Sequence, residues 1–287
     1  MARIKFSTDS AADIPVEMRE QWDIECLPFP IAMGDREYRD GLDFTPQEFY
    51  KMLVAEPKIP THAQLTPFAF TQFFEEIWKA GYTDLIHTSI NSKGSATYQN
   101  ALSARETFYE DHPEAKDTFH IYIIDSHQYT MGYGWAVVQG AKMAAERASA
   151  EEIAAYIQDW VDHARVVFIP LNLHYAKKSG RLSPVAAFVG EALGLKPIMT
   201  FIDGDTKVLT KARGDRNAIA AVVDFCVKQR KSGTPYLLIK GSNAELADKL
   251  LESSRQALQE EPALEFYIGG VVSINSGPEL IGLVYRV

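Results

Sequence analysis

Three short polar segments carry residue types suited to holding an anion. Thr8-Asp9-Ser10 follows the apolar run that begins at Ile4, Asn91-Ser-Lys-Gly-Ser-Ala-Thr97 follows Leu85–Ser89, and Ser126-His127 follows Ile121–Asp125. Each stands where a β-rich run gives way to a turn. In open α/β sheets, ligands sit beyond the carboxyl ends of the strands. A helix N-terminus with free N–H groups favours a carboxylate or phosphate there. Ser95 and Thr97 are therefore candidate oxyanion donors. Capping alone explains one such segment, since Ser and Thr cap helices well; three successive strand ends point to a site. Asp9 and Asp125 are the candidate bases of an alternative reading, an enzyme acting on a small carboxylated or phosphorylated metabolite. No recognisable nucleophile–base pair accompanies them.

The second half adds Gly180-Arg181-Leu-Ser183, Lys196-Pro197, Lys211-Ala-Arg213 and Asn275-Ser276-Gly277-Pro278. An Arg between a Gly and a helix cap reads equally as a clamp on carbonyls or as an anion contact. Gly277-Pro278 reads as a turn between two strands. GxSxG, HExxH, P-loop and EF-hand signatures are absent. Gly132-Tyr-Gly134 lacks the third glycine of a dinucleotide fingerprint and reads as a site of close helix packing. The seven histidines show no metal spacing. Cys26 and Cys226, without CxxC spacing, are expected to be buried free thiols in a reducing compartment.

A formal charge of −9 with no basic run argues against nucleic acid as a partner. The start, Met1-Ala-Arg-Ile-Lys-Phe, has no apolar signal region, and no window is apolar enough to span a bilayer. A cytoplasmic location is expected.

Positioning these residues falls to an alternation of apolar runs and helical periods, the pattern of an α/β sheet with crossover helices. Strands are expected at 4–8, 24–31, 84–89 and 119–125 in the first half. Thr45-Pro-Gln-Glu48 and Ser149-Ala-Glu-Glu152 are capping boxes. Thr66-Pro67 opens a helix whose Phe70, Phe73, Phe74, Ile77 and Trp78 share one face before Gly81 ends it. In the second half, strands are expected at 166–170, 197–202, 207–210, 236–240, 266–274 and 280–286. Asp203-Gly204-Asp205 reads as a hairpin turn. A short helical piece ends at Gly180, Ser183-Pro184 caps a helix to about Leu193, and helices run over 215–231 and 243–260. The pattern divides the chain near residue 160, into an N-terminal domain 1–160 and a C-terminal domain 161–287.

Taken in order, these segments resemble the DegV family of fatty-acid-binding proteins. The likeness rests on Thr8-Asp9-Ser10 with Ala12-Asp13-Ile14, Tyr38-Arg-Asp40-Gly41 with Phe49-Tyr50, and Thr61-His62-Ala-Gln64 with Thr66-Pro67. Ser92-Lys-Gly-Ser95-Ala96-Thr97-Tyr98-Gln99, Gly180-Arg181-Leu-Ser183, Lys196-Pro197-Ile198, Asp203-Gly204, Arg213 and Gly277-Pro278 continue it along the chain. The resemblance implies a two-domain α/β fold, with an N-terminal parallel sheet flanked by helices and a C-terminal mixed sheet with helices. It implies one long-chain fatty acid as ligand, no cofactor and no turnover by the chain itself. The carboxylate would lie at the domain junction and the acyl chain in an apolar tunnel, for which Phe188, Val189 and Leu193 are candidates. A separate dihydroxyacetone-kinase-like fatty-acid kinase would phosphorylate the bound acid for phospholipid synthesis.

Carried over residue by residue, Thr61 and Ser95 would bind the carboxylate and Arg213 would face the head group, with Arg181 a further candidate. His62 stands where the family has Ser, and Ala96 where it has Gly. Asn275-Ser276-Gly277-Pro278-Glu279 stands where the family has a histidine-led turn ending in Gly. A neutral Asn still donates to a carboxylate but is a poorer partner for a phosphate.

Overall fold

Val- and Ile-rich runs bounded by helical periods build two principal sheets in the computed structural model, which describes residues 3–179 and 194–287. The strands are β1 (Ile4–Asp9), β2 (Ile24–Leu27), β3 (Pro30–Met33), β4 (Arg36–Arg39), β5 (Thr61–His62), β6 (Asp84–Ser89) and β7 (His120–Asp125). The second half contributes β8 (Ala164–Ile169), β9 (Leu195–Ile202), β10 (Asp205–Arg213), β11 (Tyr236–Lys240), β12 (Leu264–Tyr267) and β13 (Ile281–Arg286). Two units are distinguished, Met1–Pro30 with His62–Asp162, and Ile31–Thr61 with His163–Val287.

In the first unit four strands lie in the order β2-β1-β6-β7. All three pairings are parallel, so their carboxyl ends share one edge. Helices supply the crossovers. The helix Pro67–Lys79 begins as its sequence dictates, with Thr66 accepting from the Ala69 N–H and Pro at the first position, and buries Phe70, Phe73, Phe74 and Ile77. The helix Met131–Ala145 buries most of its circumference, Gly132, Tyr133, Gly134 and Trp135 included. Gly134 is required there by close approach: a Cβ would lie 2.5 Å from the Ala12 carbonyl oxygen. Trp160 anchors the same turn by donating Nε1–H to the Gly132 carbonyl at 3.0 Å.

The second unit holds a mixed sheet in the order β10-β9-β8-β13-β11-β12. Its pairings are antiparallel except β11 with β12. Helices Asp215–Gln229 and Ala244–Leu258 cover one face, packing Val222, Cys226 and Leu250 against Tyr236, Leu238 and Leu283. The β9–β10 turn is made by Asp203 (φ 51°) and Gly204 (φ 76°), two successive left-handed residues as a tight hairpin requires. Both capping boxes close in both directions, Thr45 with Glu48 and Ser149 with Glu152.

Several expectations differ. The run 24–31 is two strands, because Pro28 and Pro30 remove ladder donors from its middle. The run 266–274 is only half strand: β12 stops at Tyr267 and Gly270–Ser276 is a helix. A short apolar run does not distinguish the two states by itself. Here Asp40 accepts the Gly270 N–H at 2.9 Å and Ser273 returns its hydroxyl to the Gly269 carbonyl at 2.7 Å, satisfying a helical start. Gly277-Pro278 accordingly follows a helix and does not join two strands. Cys226 is buried, whereas Cys26 is only half-buried. A single division near residue 160 keeps segment 31–61 with the N-terminal part, while its packing groups it with the C-terminal residues. The capped helix at 183–193 lies outside the described residues, as do Arg181, Phe188, Val189 and Leu193.

Candidate functional site

Parallel pairing brings the three polar segments of the first unit to one edge, where two buried carboxylates hold them. Asp9 ends β1; its Oδ2 accepts the Ile90 N–H at 2.7 Å and its Oδ1 accepts the Tyr133 hydroxyl at 2.6 Å. Asp125 ends β7; its Oδ1 accepts the Ser92 and His127 N–H groups, both at 3.1 Å. The Asn91 N–H donates to the Gln128 carbonyl at 3.1 Å. The exit of β6 is thus pinned from both neighbouring strands. These carboxylates already accept hydrogen bonds from the turns they organise, which weighs against the expected alternative of Asp9 or Asp125 as a catalytic base.

The pinned segment leads into the helix Thr97–Asp111. Ser95 Oγ and Thr97 Oγ1 lie 2.9 Å apart, and Ser95 Oγ accepts the Thr97 N–H at 3.3 Å. Thr97 Oγ1 accepts the Leu65 N–H at 3.4 Å, and Asn100 donates to the Leu65 carbonyl at 2.7 Å. Two hydroxyls therefore meet at the positive end of a 15-residue helix, with Ser95 half-buried and Thr97 buried. Ala96 has φ −76° and ψ 3°, which any residue adopts, so alanine in place of the family glycine imposes no backbone strain. Gly94 is different. A Cβ there would lie 2.1 Å from the Tyr129 hydroxyl, which accepts from Asn91 Nδ2 at 3.1 Å.

His62 is half-buried, its ring edge-on to Phe29 with centroids 6.2 Å apart, and the Phe29 N–H donates to Ser10 Oγ at 3.1 Å. The structure thus joins His62 to the Thr8-Asp9-Ser10 turn by a packing contact.

In the second unit, Thr61 is exposed at the start of β5 and Arg213 is exposed at the end of β10, its carbonyl accepting from Asn217 at 2.9 Å. Asn275 and Ser276 occupy the last turn of the helix Gly270–Ser276. Both turn their donors back along it: Asn275 Nδ2 to the Val271 carbonyl at 2.7 Å, Ser276 Oγ to the Val272 carbonyl at 2.8 Å. Asp40 and Tyr50, from a motif to which sequence reading gave no role, fix this helix; Tyr50 donates to the Ile268 carbonyl at 2.6 Å beside the Asp40 contact with Gly270. The Asp-Gly pairing at 40–41 and the Phe-Tyr at 49–50 were visible, but nothing local linked them to residue 270. Tyr129 and Tyr133 were likewise missed as partners of the first-unit site, since each acts across more than 35 residues of sequence.

Among the described residues no group of three or more His, Cys, Asp or Glu is placed to hold a metal ion, and no helix is long and apolar enough to cross a membrane.

The family model described as "Uncharacterised protein, DegV family" matches residues 3–287. A DegV domain-containing protein of Caldanaerobacter subterraneus is 31% identical over 100% of this chain and 99% of its own length. One from Clostridium acetobutylicum is 33% identical over 99% of both chains. Among solved structures, a stearic-acid-binding protein from Eubacterium ventriosum superposes with a TM-score of 0.86, 25% identity and coverage of 100% of this chain and 98% of that one. A DegV protein from Thermus thermophilus, described for its fatty-acid binding, shares the fold with a TM-score of 0.84 at 24% identity, covering 99% of this chain and 100% of that one. With a family match over residues 3–287 and relatives more than 30% identical along its length, this chain belongs to the DegV family.

Proposed function

We propose that this protein binds one long-chain fatty acid and acts as its carrier. The observation that carries the reading is the likeness, over the whole chain, to the stearic-acid-binding protein of Eubacterium ventriosum. The hydroxyl pair Ser95–Thr97 at a helix N-terminus is chemically suited to a carboxylate. Thr61, His62, Arg213, Asn275 and Ser276 are proposed to share in head-group binding, on the strength of the family resemblance. Burying an acyl tail supplies about 0.8 kcal/mol per methylene, so a chain of about fourteen contributes on the order of ten kcal/mol before the costs of association. The tail supplies affinity, and the hydroxyl contacts orient the head group.

Presentation of the bound acid to a dihydroxyacetone-kinase-like partner belongs to the same proposal. The permanently charged Arg213 suits the acyl phosphate that such a partner would make. Denaturing the purified protein and analysing the organic extract by mass spectrometry tests the carrier reading. A stoichiometric fatty acid is expected; a water-soluble metabolite, or no ligand together with no thermal shift on adding fatty acids, would sink it. The kinase step is tested by incubating the loaded protein with ATP and such a kinase, where formation of acyl phosphate is expected.

A further inference from the structure

The Gly132-Tyr-Gly134 motif has no part in that reading, yet the structure ties it to the same edge of the sheet. Tyr133 lies in the first turn of the helix Met131–Ala145, wholly buried, and donates its hydroxyl to Asp9 Oδ1 at 2.6 Å. Asp9 is also wholly buried and spends its other oxygen on the Ile90 N–H, the first amide beyond β6. A chain of two hydrogen bonds therefore runs from the helix to the segment that presents Ser95 and Thr97.

Two further features deliver Tyr133 to this position. Gly134 lets its helix close on the Ala12 carbonyl, where a Cβ would lie 2.5 Å away. Thr130, immediately before the helix, has φ 54° and ψ −152°, a conformation unfavourable for a β-branched residue. Its N–H is bonded to the Ala11 carbonyl at 2.9 Å, so the strained residue is locked against the turn that follows Asp9. Burial, reinforced by the neighbouring Asp9 carboxylate, pushes the Tyr133 phenol well above its ordinary range, so it remains a proton donor.

We propose that Tyr133 and Asp9 form a positioning pair that sets the geometry of the Ile90–Thr97 segment, so that the Gly-Tyr-Gly motif serves discrimination of a carboxylate head group from a neutral one. This inference rests on the proposed fatty-acid site. Both side chains are wholly buried, and the pair acts by fixing the hydroxyl donors, whose hydrogen bonds are worth most to an ionised acceptor.

The test compares octadecanoic acid with octadecan-1-ol on the full chain, by competition against a fluorescent fatty acid. The two probes share a tail and differ in the head group. In Tyr133→Phe, affinity for the acid is expected to fall about 10-fold and that for the alcohol less than about 2-fold, because a displaced donor costs an ionised group more than a neutral one. Trp160→Phe removes the other anchor of the same helix, the bond to the Gly132 carbonyl, and is expected to lower Tm with the acid-to-alcohol ratio unchanged. Asp9→Asn, which keeps one acceptor, is expected to fall between wild type and Tyr133→Phe in that ratio. Should Tyr133→Phe unfold, Asp9→Asn with amide exchange across residues 90–97 decides the matter. Equal losses for both probes, or an unchanged ratio in both variants, overturns the positioning role while leaving the fatty-acid reading intact. A wild-type protein that binds neither probe removes the fatty-acid reading, and the positioning role with it.

Discussion

The exits of the parallel strands in the first unit are held by side chains from far along the sequence, whereas the helix bearing Asn275 and Ser276 in the second unit is capped from afar and returns the Asn275 amide and the Ser276 hydroxyl to its own carbonyls. Asp9 reaches Ile90 and Tyr133, and Asp125 reaches Ser92. Asn275 and Ser276 each donate to a carbonyl four residues back. In the first unit the acids brace the turns, and the hydroxyls of Ser95 and Thr97, bonded to each other and accepting backbone N–H groups, stand at a helix start. In the second, Asp40 supplies the cap, and Asn275 and Ser276 donate to carbonyls of the preceding turn. A polar motif is therefore read correctly only when one knows which of its members the backbone has already claimed.

This contrast is open to direct tests. The largest expected effect is acid sensitivity of the first unit. His87 is fully buried on β6, bonded through Nδ1 to Ser7 Oγ at 2.9 Å and edge-on to Phe70, and burial pushes its imidazole down to about 3. The unfolded chain binds the proton near pH 6.5, so stability is full above that pH and is lost progressively as pH falls toward 3. The total is on the order of 4–5 kcal/mol. Urea unfolding followed by near-UV circular dichroism at pH 7, 5 and 4 measures it. His87→Asn is expected to be less stable at pH 7 but to lose much less on acidification; an equally steep loss would place the acid sensitivity elsewhere.

Gly94→Ala sets a methyl against the Tyr129 hydroxyl and breaks its bond to Asn91, at an expected cost of about 1–3 kcal/mol and with weakened fatty-acid binding. Calorimetry and a binding titration on the same sample check both. Asp40→Ala leaves the Gly270 N–H without its acceptor and is expected to cost about 1–2 kcal/mol. Amide exchange should quicken over 270–277 and stay unchanged over 90–97; acceleration in both stretches would erase the distinction between the two regions. The smallest effect is expected for Ser95→Ala, with the fold intact and affinity for a fatty acid about 3- to 10-fold weaker, one hydrogen bond to a charged group having been lost. Unchanged affinity would remove Ser95 from the head-group site.

Much of the fold was legible because its signals are local. Thr45-Pro-Gln-Glu48, Ser149-Ala-Glu-Glu152, Thr66-Pro67 and Asp203-Gly204 each formed the cap or turn their chemistry requires. The site was legible as a set of strand ends, since hydroxyls and acids after β-rich runs mark them. What escaped was the division of labour within it. Asp9 and Asp125 read equally as bases or as braces until their partners were known, and Tyr133 gave no sign beyond two flanking glycines. The run 266–274 escaped for the same reason: its helical half depends on Asp40, 230 residues earlier.

The sequence by itself determined an α/β protein, its strand-end hydroxyls and, through the order of many weak motifs, its family. Capping, turn formation and apolar periodicity act within a few residues and can be read there. The tertiary structure alone decided that Asp9 is claimed by Tyr133 and Ile90, that Asp40 starts the helix ending in Asn275, and that segment 31–61 groups with the second unit. Those outcomes depend on hydrogen-bond partners that buried polar groups must find at any sequence distance, and chain folding chooses the partner.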